Sequence, residues 1–184
     1  MDVLQDAPTT VILAEDEASL YLQTTMQSVW APTGQMPVIR ADPGRTKTNF
    51  YGSLDLETGQ ELAMRVDKMN AESSAAHLNQ ILKAYPDRPI LLFWDRAPWH
   101  RGALIRDVLA TNPRLEIMSF PVAAPKLNPQ EHVWKETRRA VSHNHLQARL
   151  PELANQFERH LTTTRFESSF LKRYGYTNLR PMFN

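Results

Sequence analysis

Residues 90–95 read Ile90-Leu91-Leu92-Phe93-Trp94-Asp95, five apolar residues and then a carboxylate. An unbroken apolar run over 89–94 has the character of a strand buried on both faces, as in a parallel sheet. The flanks agree. From Asn70, apolar residues recur at Ala75, Leu78, Leu82 and Tyr85, which is helical spacing, and Pro86 ends that helix. Downstream, 101–111 reads as a helix with Leu104, Ile105, Val108 and Leu109 inward and Pro113 beyond its end. Residues 115–120 are the next strand. Strand, helix and strand in this order imply a right-handed crossover and parallel pairing. Asp95 then sits at the carboxyl end of a strand, where open α/β sheets build their sites.

Working outward, residues 10–15 read as a short buried strand, and Asp16 closes its apolar run Val11-Ile12-Leu13-Ala14. Residues 21–36 are irregular, with Pro32 and Gly34 as breakers, and Val38-Ile39-Arg40 is a short strand. Residues 48–56 and 60–66 flank Glu57-Thr58-Gly59, a hairpin signal. A proline-punctuated loop, Pro121 to Pro125, leads to a helix opened by Asn128-Pro129-Gln130-Glu131. A last amphipathic helix uses Leu150, Leu153, Ala154, Phe157 and Leu161. The tail 166–184 has no clear pattern. The expectation is a single α/β domain over 1–184, with early antiparallel strands, later parallel ones and helices on both faces of a mixed sheet.

At 184 residues the chain suits one domain with a sizeable core, and 42% hydrophobic content is ordinary for a globular protein. Lys and Arg number 21 and Asp and Glu 20, a net charge of +1, so any basic surface must come from local clustering. With no cysteine, disulfides and thiolate metal sites are excluded, and a reducing cytosol is consistent. No run approaches the roughly 18 apolar residues of a membrane span. The start, Met1 to Asp6, lacks the basic and apolar segments of a signal peptide.

Three acids carry the chemistry: Asp16, Asp95 and Glu131. Asp95 and Glu131 are separated by 35 residues. Three carboxylates gathered by a fold make an oxygen-rich pocket suited to hard divalent cations such as Mg²⁺. Two such ions activate a nucleophile and stabilise a leaving oxygen on phosphorus. Each acid has a structural reading too. Asp16 lies in Glu15-Asp16-Glu17, which alone reads as a solvated acidic turn. Asp95 suits a turn or cap. Glu131 is the third residue of a capping box, with Asn128 at the N-cap and Pro129 at N1.

The helix of Glu131 adds charge. At 100° per residue, Glu131, Lys135, Arg138 and Ser142 share one face, with Arg139 beside them. Val133, Trp134, Thr137, Ala140 and Val141 form most of another. Such cations contact phosphates without regard to sequence, or else form a solvated face with a Glu131–Lys135 pair. His143-Asn144-His145 reads as a surface turn. His100, five residues after Asp95, reaches a phosphate or caps the next helix. There is no Gly-x-Ser-x-Gly and no Gly-x-x-x-x-Gly-Lys loop. Trp30, Trp94, Trp99 and Trp134 are core residues by default.

Three stretches resemble the catalytic domain of DDE-type transposases of the mariner-like superfamily, on the bacterial insertion-sequence branch. They are Leu13-Ala14-Glu15-Asp16-Glu17, Leu91 to His100, and Phe120-Pro121 through Pro125 to Trp134 with its Leu-Asn-Pro-x-Glu-x-x-Trp pattern. Trp30 to Gln35 and Met69 to Glu72 also resemble the family, and the likeness runs from about residue 10 to 165. The resemblance implies a ribonuclease-H-like fold with Asp16, Asp95 and Glu131 as a catalytic triad binding Mg²⁺ or Mn²⁺, as two ions. It implies cleavage at transposon ends by metal-activated water and attack of the freed 3′-hydroxyl on target DNA, usually at TA. Partners would be double-stranded DNA and a second copy, as a homodimer assembled on DNA, in the bacterial cytoplasm at the nucleoid. Candidate DNA contacts are Arg96, His100, Lys126, Lys135, Arg138 and Arg139.

Two positions depart from the family pattern. Arg96 stands where Asn usually follows the second Asp, and Val122-Ala123-Ala124-Pro125 replaces Pro-Tyr-Ser-Pro. Family members also carry helix-turn-helix modules that read transposon ends. This chain starts about ten residues before the first catalytic strand, so the expectation is a split-frame product or fragment, with a separate helix-turn-helix polypeptide as partner. Two other readings stay open. One is a stand-alone nuclease of the same fold, such as an RNA–DNA hybrid hydrolase, against which the Leu-Asn-Pro-x-Glu-x-x-Trp stretch speaks. The other is an inactive relic or accessory DNA-binding protein; Arg96 and the missing module favour it and the intact triad opposes it.

Overall fold

The computed structural model describes residues 10–25, 28, 30–34, 38, 45–121 and 128–166. Five strands form one sheet: β1 (Val11–Tyr21), β2 (Lys47–Asp55), β3 (Glu61–Val66), β4 (Ile90–Trp94) and β5 (Leu115–Ser119), in the order β3-β2-β1-β4-β5. The hairpin half is antiparallel, β1 to β2 to β3, and the crossover half is parallel, β1 to β4 to β5. The helices are α1 (Ala71–Ala84), α2 (Ala103–Thr111), α3 (Gln130–Thr137) and α4 (Leu150–Thr163). Among the described residues no helix is long and apolar enough to cross a membrane.

Successive strand residues point to opposite faces, and each face has its own core. Leu13, Ile90 and Leu92 pack under Leu78 and Ile81 of α1 and Ile105 of α2. Phe50 and Leu54 pack under Trp134 of α3 and Leu153, Phe157 and Leu161 of α4. Burying each such side chain contributes about 1.5–3 kcal/mol, so the central strands are fixed from both sides. The hairpin turn is set by Asp55, whose Oδ1 accepts from the backbone N–H of Glu57 (2.8 Å) and Thr58 (3.0 Å), and by Gly59 at φ +70°. Asn70 caps α1 by accepting from Ser73 N at 2.9 Å.

Several expectations change. β1 does not end near Asp16; it runs on to Tyr21 because β2 pairs with it from Leu13 to Tyr21. What ends there is the parallel pairing, whose last partners are Ala14 and Phe93. Val38 is exposed and lies outside any strand, while Ile39 and Arg40 of that expected strand lie outside the described residues. Trp30 is fully exposed, whereas Trp94 and Trp134 are buried. Leu104 is exposed and only Ile105 of α2 is deeply buried. Past Thr137 the helix widens into a π turn over Arg138–Ser142. The extra residue per turn shifts the phase, so Ala140 faces outward and Ser142 inward, the reverse of the expected faces. His143 and His145 pack against the end of β1 through Thr25 (2.6 Å) and Thr24 (3.2 Å).

His77 of α1 is fully buried, with Nε2 at 2.8 Å from the Ser53 hydroxyl and Nδ1 at 3.1 Å from Gln80 Oε1. The neutral ring satisfies both, with Nδ1 donating to Gln80 and Nε2 accepting from Ser53. Burial opposes protonation and lowers its pKa to about 4. Because the folded pKa lies below the unfolded value, its contribution is complete above about pH 6.5 and is lost as pH falls toward 4. Urea unfolding at pH 7.5 and pH 4 is therefore expected to show the wild type losing up to about 3 kcal/mol more than His77→Gln over that interval.

Candidate active site

The Glu15-Asp16-Glu17 triplet is strand rather than turn, so its side chains divide between the two faces of the sheet. Glu15 and Glu17 lie on the α1/α2 face with Leu13, and Asp16 lies on the α3 face between Ala14 and Ala18. Glu15 is 1% exposed, and among the described residues neither of its carboxyl oxygens has a hydrogen-bond partner, with His100 Nε2 3.6 Å from Oε2. Burial, with Glu17 and Asp16 nearby, holds its pKa well above the usual carboxylate range. The solvated-turn reading of the triplet is thereby overturned.

Asp16 is half-buried and pairs across the sheet with Gly52. Its pKa is pushed up to about 7, first by burial, then by the charge of Glu131, and further by Glu17 and Asp95. Glu131 and Asp95, both far from Asp16 along the chain, thus act on it through space. The topology explains it. The β1–β4 pairing runs as far as Ala14 and Phe93, two residues short of Asp16 and of Asp95, so both acids emerge at the same end of that strand pair. Asp95 is exposed where β4 ends, and its Oδ1 accepts from Ala97 N at 2.7 Å, the turn role read from sequence.

Glu131 comes in from the first turn of α3, which two neighbours dock onto the sheet. Asn128 Nδ2 donates to the backbone oxygen of Glu15 (3.3 Å), while its Oδ1 accepts from Gln130 N (3.0 Å) and caps the helix. Gln130 Nε2 donates to Glu61 Oε1 in a buried contact at the far side of β2. The Glu131 side chain stays exposed and makes no hydrogen bond among the described residues, and the Glu131 N–H goes to the backbone oxygen of Asn128 (3.3 Å) rather than to its side chain, so the expected capping box does not form. Glu61 is buried, and burial raises its pKa well above the usual range.

The expected DNA contacts divide. Lys135 and Arg139 are exposed along α3 and the π turn, Arg138 is partly buried, and Arg96 is exposed beside Asp95. Lys126 lies outside the described residues. His100 is 6% exposed, in a 3₁₀ turn over Pro98–His100. Its Nε2 is 2.9 Å from Glu17 Oε1 and its Nδ1 is 3.2 Å from Asp95 Oδ1. It is therefore a buried partner of acids rather than a surface cation. Burial opposes charge on the ring, but Glu17 and Asp95 outweigh it and raise its pKa. Glu15, Glu17 and His100 each offer one ligand atom, all within 4.8 Å of one another, an arrangement with the donor set of a metal site.

Sequence reasoning passed over Glu17, Gln130, Glu61 and Gly52. Only Gly52 left a signal, as a lone glycine inside an apolar strand pattern, which marks close approach.

Residues 11–154 match a family model described as DDE superfamily endonuclease. The insertion element IS630 39 kDa protein of Shigella sonnei is 25% identical over 138 residues, 73% of this chain and 39% of that protein. Among solved structures, the catalytic domain of Mos1 mariner transposase has a TM-score of 0.58 at 16% identity, over 94% of this chain and 78% of that one. A pre-cleavage Mos1 transpososome has a TM-score of 0.66 at 18% identity, over 98% and 54%. A Mos1 paired-end complex with Mg has a TM-score of 0.66 at 17% identity, over 94% and 53%. The chain thus spans about two fifths of the insertion-element protein and about half of the Mos1 chain in those complexes. The structural likeness shows the fold, a mixed α/β sheet of ribonuclease-H type as expected.

Gly52 lets α3 lie against the sheet. A Cβ there would fall 2.3 Å from Gln130 Nε2 and Glu61 Oε1 and 2.6 Å from a ring carbon of Trp134. Gly52→Ala is expected to lower unfolding stability by about 1–3 kcal/mol through overpacking. Denaturant midpoints of the two proteins check it.

Proposed function

The chain belongs to the DDE superfamily of endonucleases, and on that footing we propose that it is a transposase catalytic domain. It cuts DNA at transposon ends and joins the freed 3′-hydroxyl to target DNA. The observation that carries this reading is the convergence of the charges of Glu131 and Asp95 on half-buried Asp16, near where the β1–β4 pairing stops.

The donor set fits a hard divalent cation. All three residues offer carboxylate oxygens, and the fold keeps Asp16 beside like charges that a cation would offset. The relative solved with Mg supports the same choice. We assign Asp16, Asp95 and Glu131 as the residues that hold Mg²⁺ or Mn²⁺, as a pair of ions. Bound there, such ions supply Lewis acidity to the attacking and leaving oxygens on phosphorus. The chain's own contribution is position. β1 carries Asp16, the turn after β4 carries Asp95 at the same end of that strand pair, and the docked turn of α3 carries Glu131. Exposed Arg96, Lys135 and Arg139, with Arg138, meet DNA phosphates beside the acids.

Cleavage is addition of water to a phosphorus with departure of the 3′-oxygen, which takes up a proton. Strand transfer repeats the displacement: that 3′-hydroxyl gives up its proton and attacks a target phosphorus, and the target strand's own 3′-oxygen departs and takes up a proton, at TA by likeness to the family. The partners are transposon-end and target DNA, a second copy assembled on DNA, and a helix-turn-helix polypeptide that reads the ends. A similar structure, Mos1 transposase in a paired-end complex with the left transposon end, is in keeping with this role.

In Mg²⁺ or Mn²⁺ the chain is expected to nick end-bearing duplex, and Asp16→Asn, Asp95→Asn and Glu131→Gln are each expected to reduce nicking to background while folding normally. Lys135→Ala and Arg139→Ala should each weaken duplex binding about equally on all sequences and lower the salt slope by roughly one. Nicking that survives loss of any one of the three acids would refute the assignment.

A further inference from the structure

The fold leaves a mechanical problem at the acids. Backbone pairing between β1 and β4 stops at Ala14 and Phe93, before either Asp16 or Asp95 is reached. Asp16 is still held by β2, through Gly52. Asp95 has left its strand and its side chain is 51% exposed. Something other than the sheet ladder must fix it relative to β1.

We propose that His100, backed by Glu17, is a positioning residue that ties Asp95 to β1. The proposal rests on the reading of Asp95 as a metal ligand. His100 Nδ1 meets Asp95 Oδ1 at 3.2 Å and the Asp95 backbone oxygen at 3.3 Å. Its Nε2 meets Glu17 Oε1 at 2.9 Å, and Glu17 stands one residue beyond Asp16 on β1. The ring lies flat on Trp94, with centroids 4.2 Å apart and planes 2° from parallel, so it cannot turn away. Trp99 Nε1 donates to the same Glu17 oxygen and holds the far end. A side-chain strut thus takes over where the backbone ladder ends.

The strut also selects an oxygen. Asp95 Oδ1 faces two donors, Ala97 N and His100 Nδ1. Oδ2 has no partner among the described residues and is the atom left for a cation. Partners of this kind, one shell out from the ligands, typically govern metal affinity by 10–100-fold.

The test is calorimetric titration of the full chain with Mn²⁺. His100→Phe keeps the stack on Trp94 and loses both donors; its affinity is expected to fall roughly 10–100-fold. His100→Asn places an amide near the Nδ1 position without reaching Glu17, and His100→Gln reaches Glu17 without Asp95; with half of the strut missing, both are expected to bind as weakly as His100→Phe. Glu17→Gln keeps an oxygen acceptor for His100 Nε2 and is expected to stay near wild type, whereas Glu17→Ala is expected to lose affinity. These variants decide the matter even if the Phe variant does not fold. Wild-type affinity in His100→Phe, His100→Asn or Glu17→Ala overturns the proposal. Failure of the underlying reading looks different: Asp95→Asn itself would then leave Mn²⁺ affinity unchanged.

Discussion

Asp16 is a half-buried carboxylate held next to other carboxylates, and the rest of the structure is arranged around that unfavourable fact. Burial and the charges of Glu131, Glu17 and Asp95 all disfavour its ionised form. A fold does not gather such groups for stability, because each lost solvation shell and each like-charge contact costs free energy. The two cores supply the compensation. Leu13, Ile90 and Leu92 under α1, and Phe50 and Leu54 under α3 and α4, clamp the central strands, β1 with Asp16 among them.

The acids are held from both faces of the sheet. On one side Gly52 gives up its side chain so that Gln130 can reach Glu61 and bring the first turn of α3, with Glu131, down onto β2. On the other side Glu17 and His100 reach Asp95. Asn128 joins the two systems by bonding the backbone of Glu15, the residue before Asp16. None of these supporting residues is exposed enough to meet a substrate, and their work is geometric.

Much of this was legible in the chain. The apolar run ending at Asp95 announced a buried parallel strand, and the 3.6-residue spacing of Leu153, Phe157 and Leu161 announced the last helix. The family likeness named the three acids and the fold, and family and fold are borne out. The length of β1 was hidden because Glu15, Asp16 and Glu17 read as solvent-facing, whereas pairing with β2 carries the strand through them. The π turn was invisible because it changes the phase of a helix without a marker residue; Ala140 and Ser142 exchange sides as a result. The links from Gln130 to Glu61 and from His100 to Glu17 span 69 and 83 positions. Local pattern holds no trace of contacts that only the closed sheet creates.

The central claim is that Asp16, Asp95 and Glu131 form one divalent-cation site. Crystals soaked in Mn²⁺ and measured at a wavelength where manganese scatters anomalously test it most directly. Anomalous density is expected bonded to the carboxylates of Asp16 and Asp95, with Glu131 in reach and His100 still paired to Glu17. Density lodged instead among Glu15, Glu17 and His100, or none at all at saturating Mn²⁺, would contradict it.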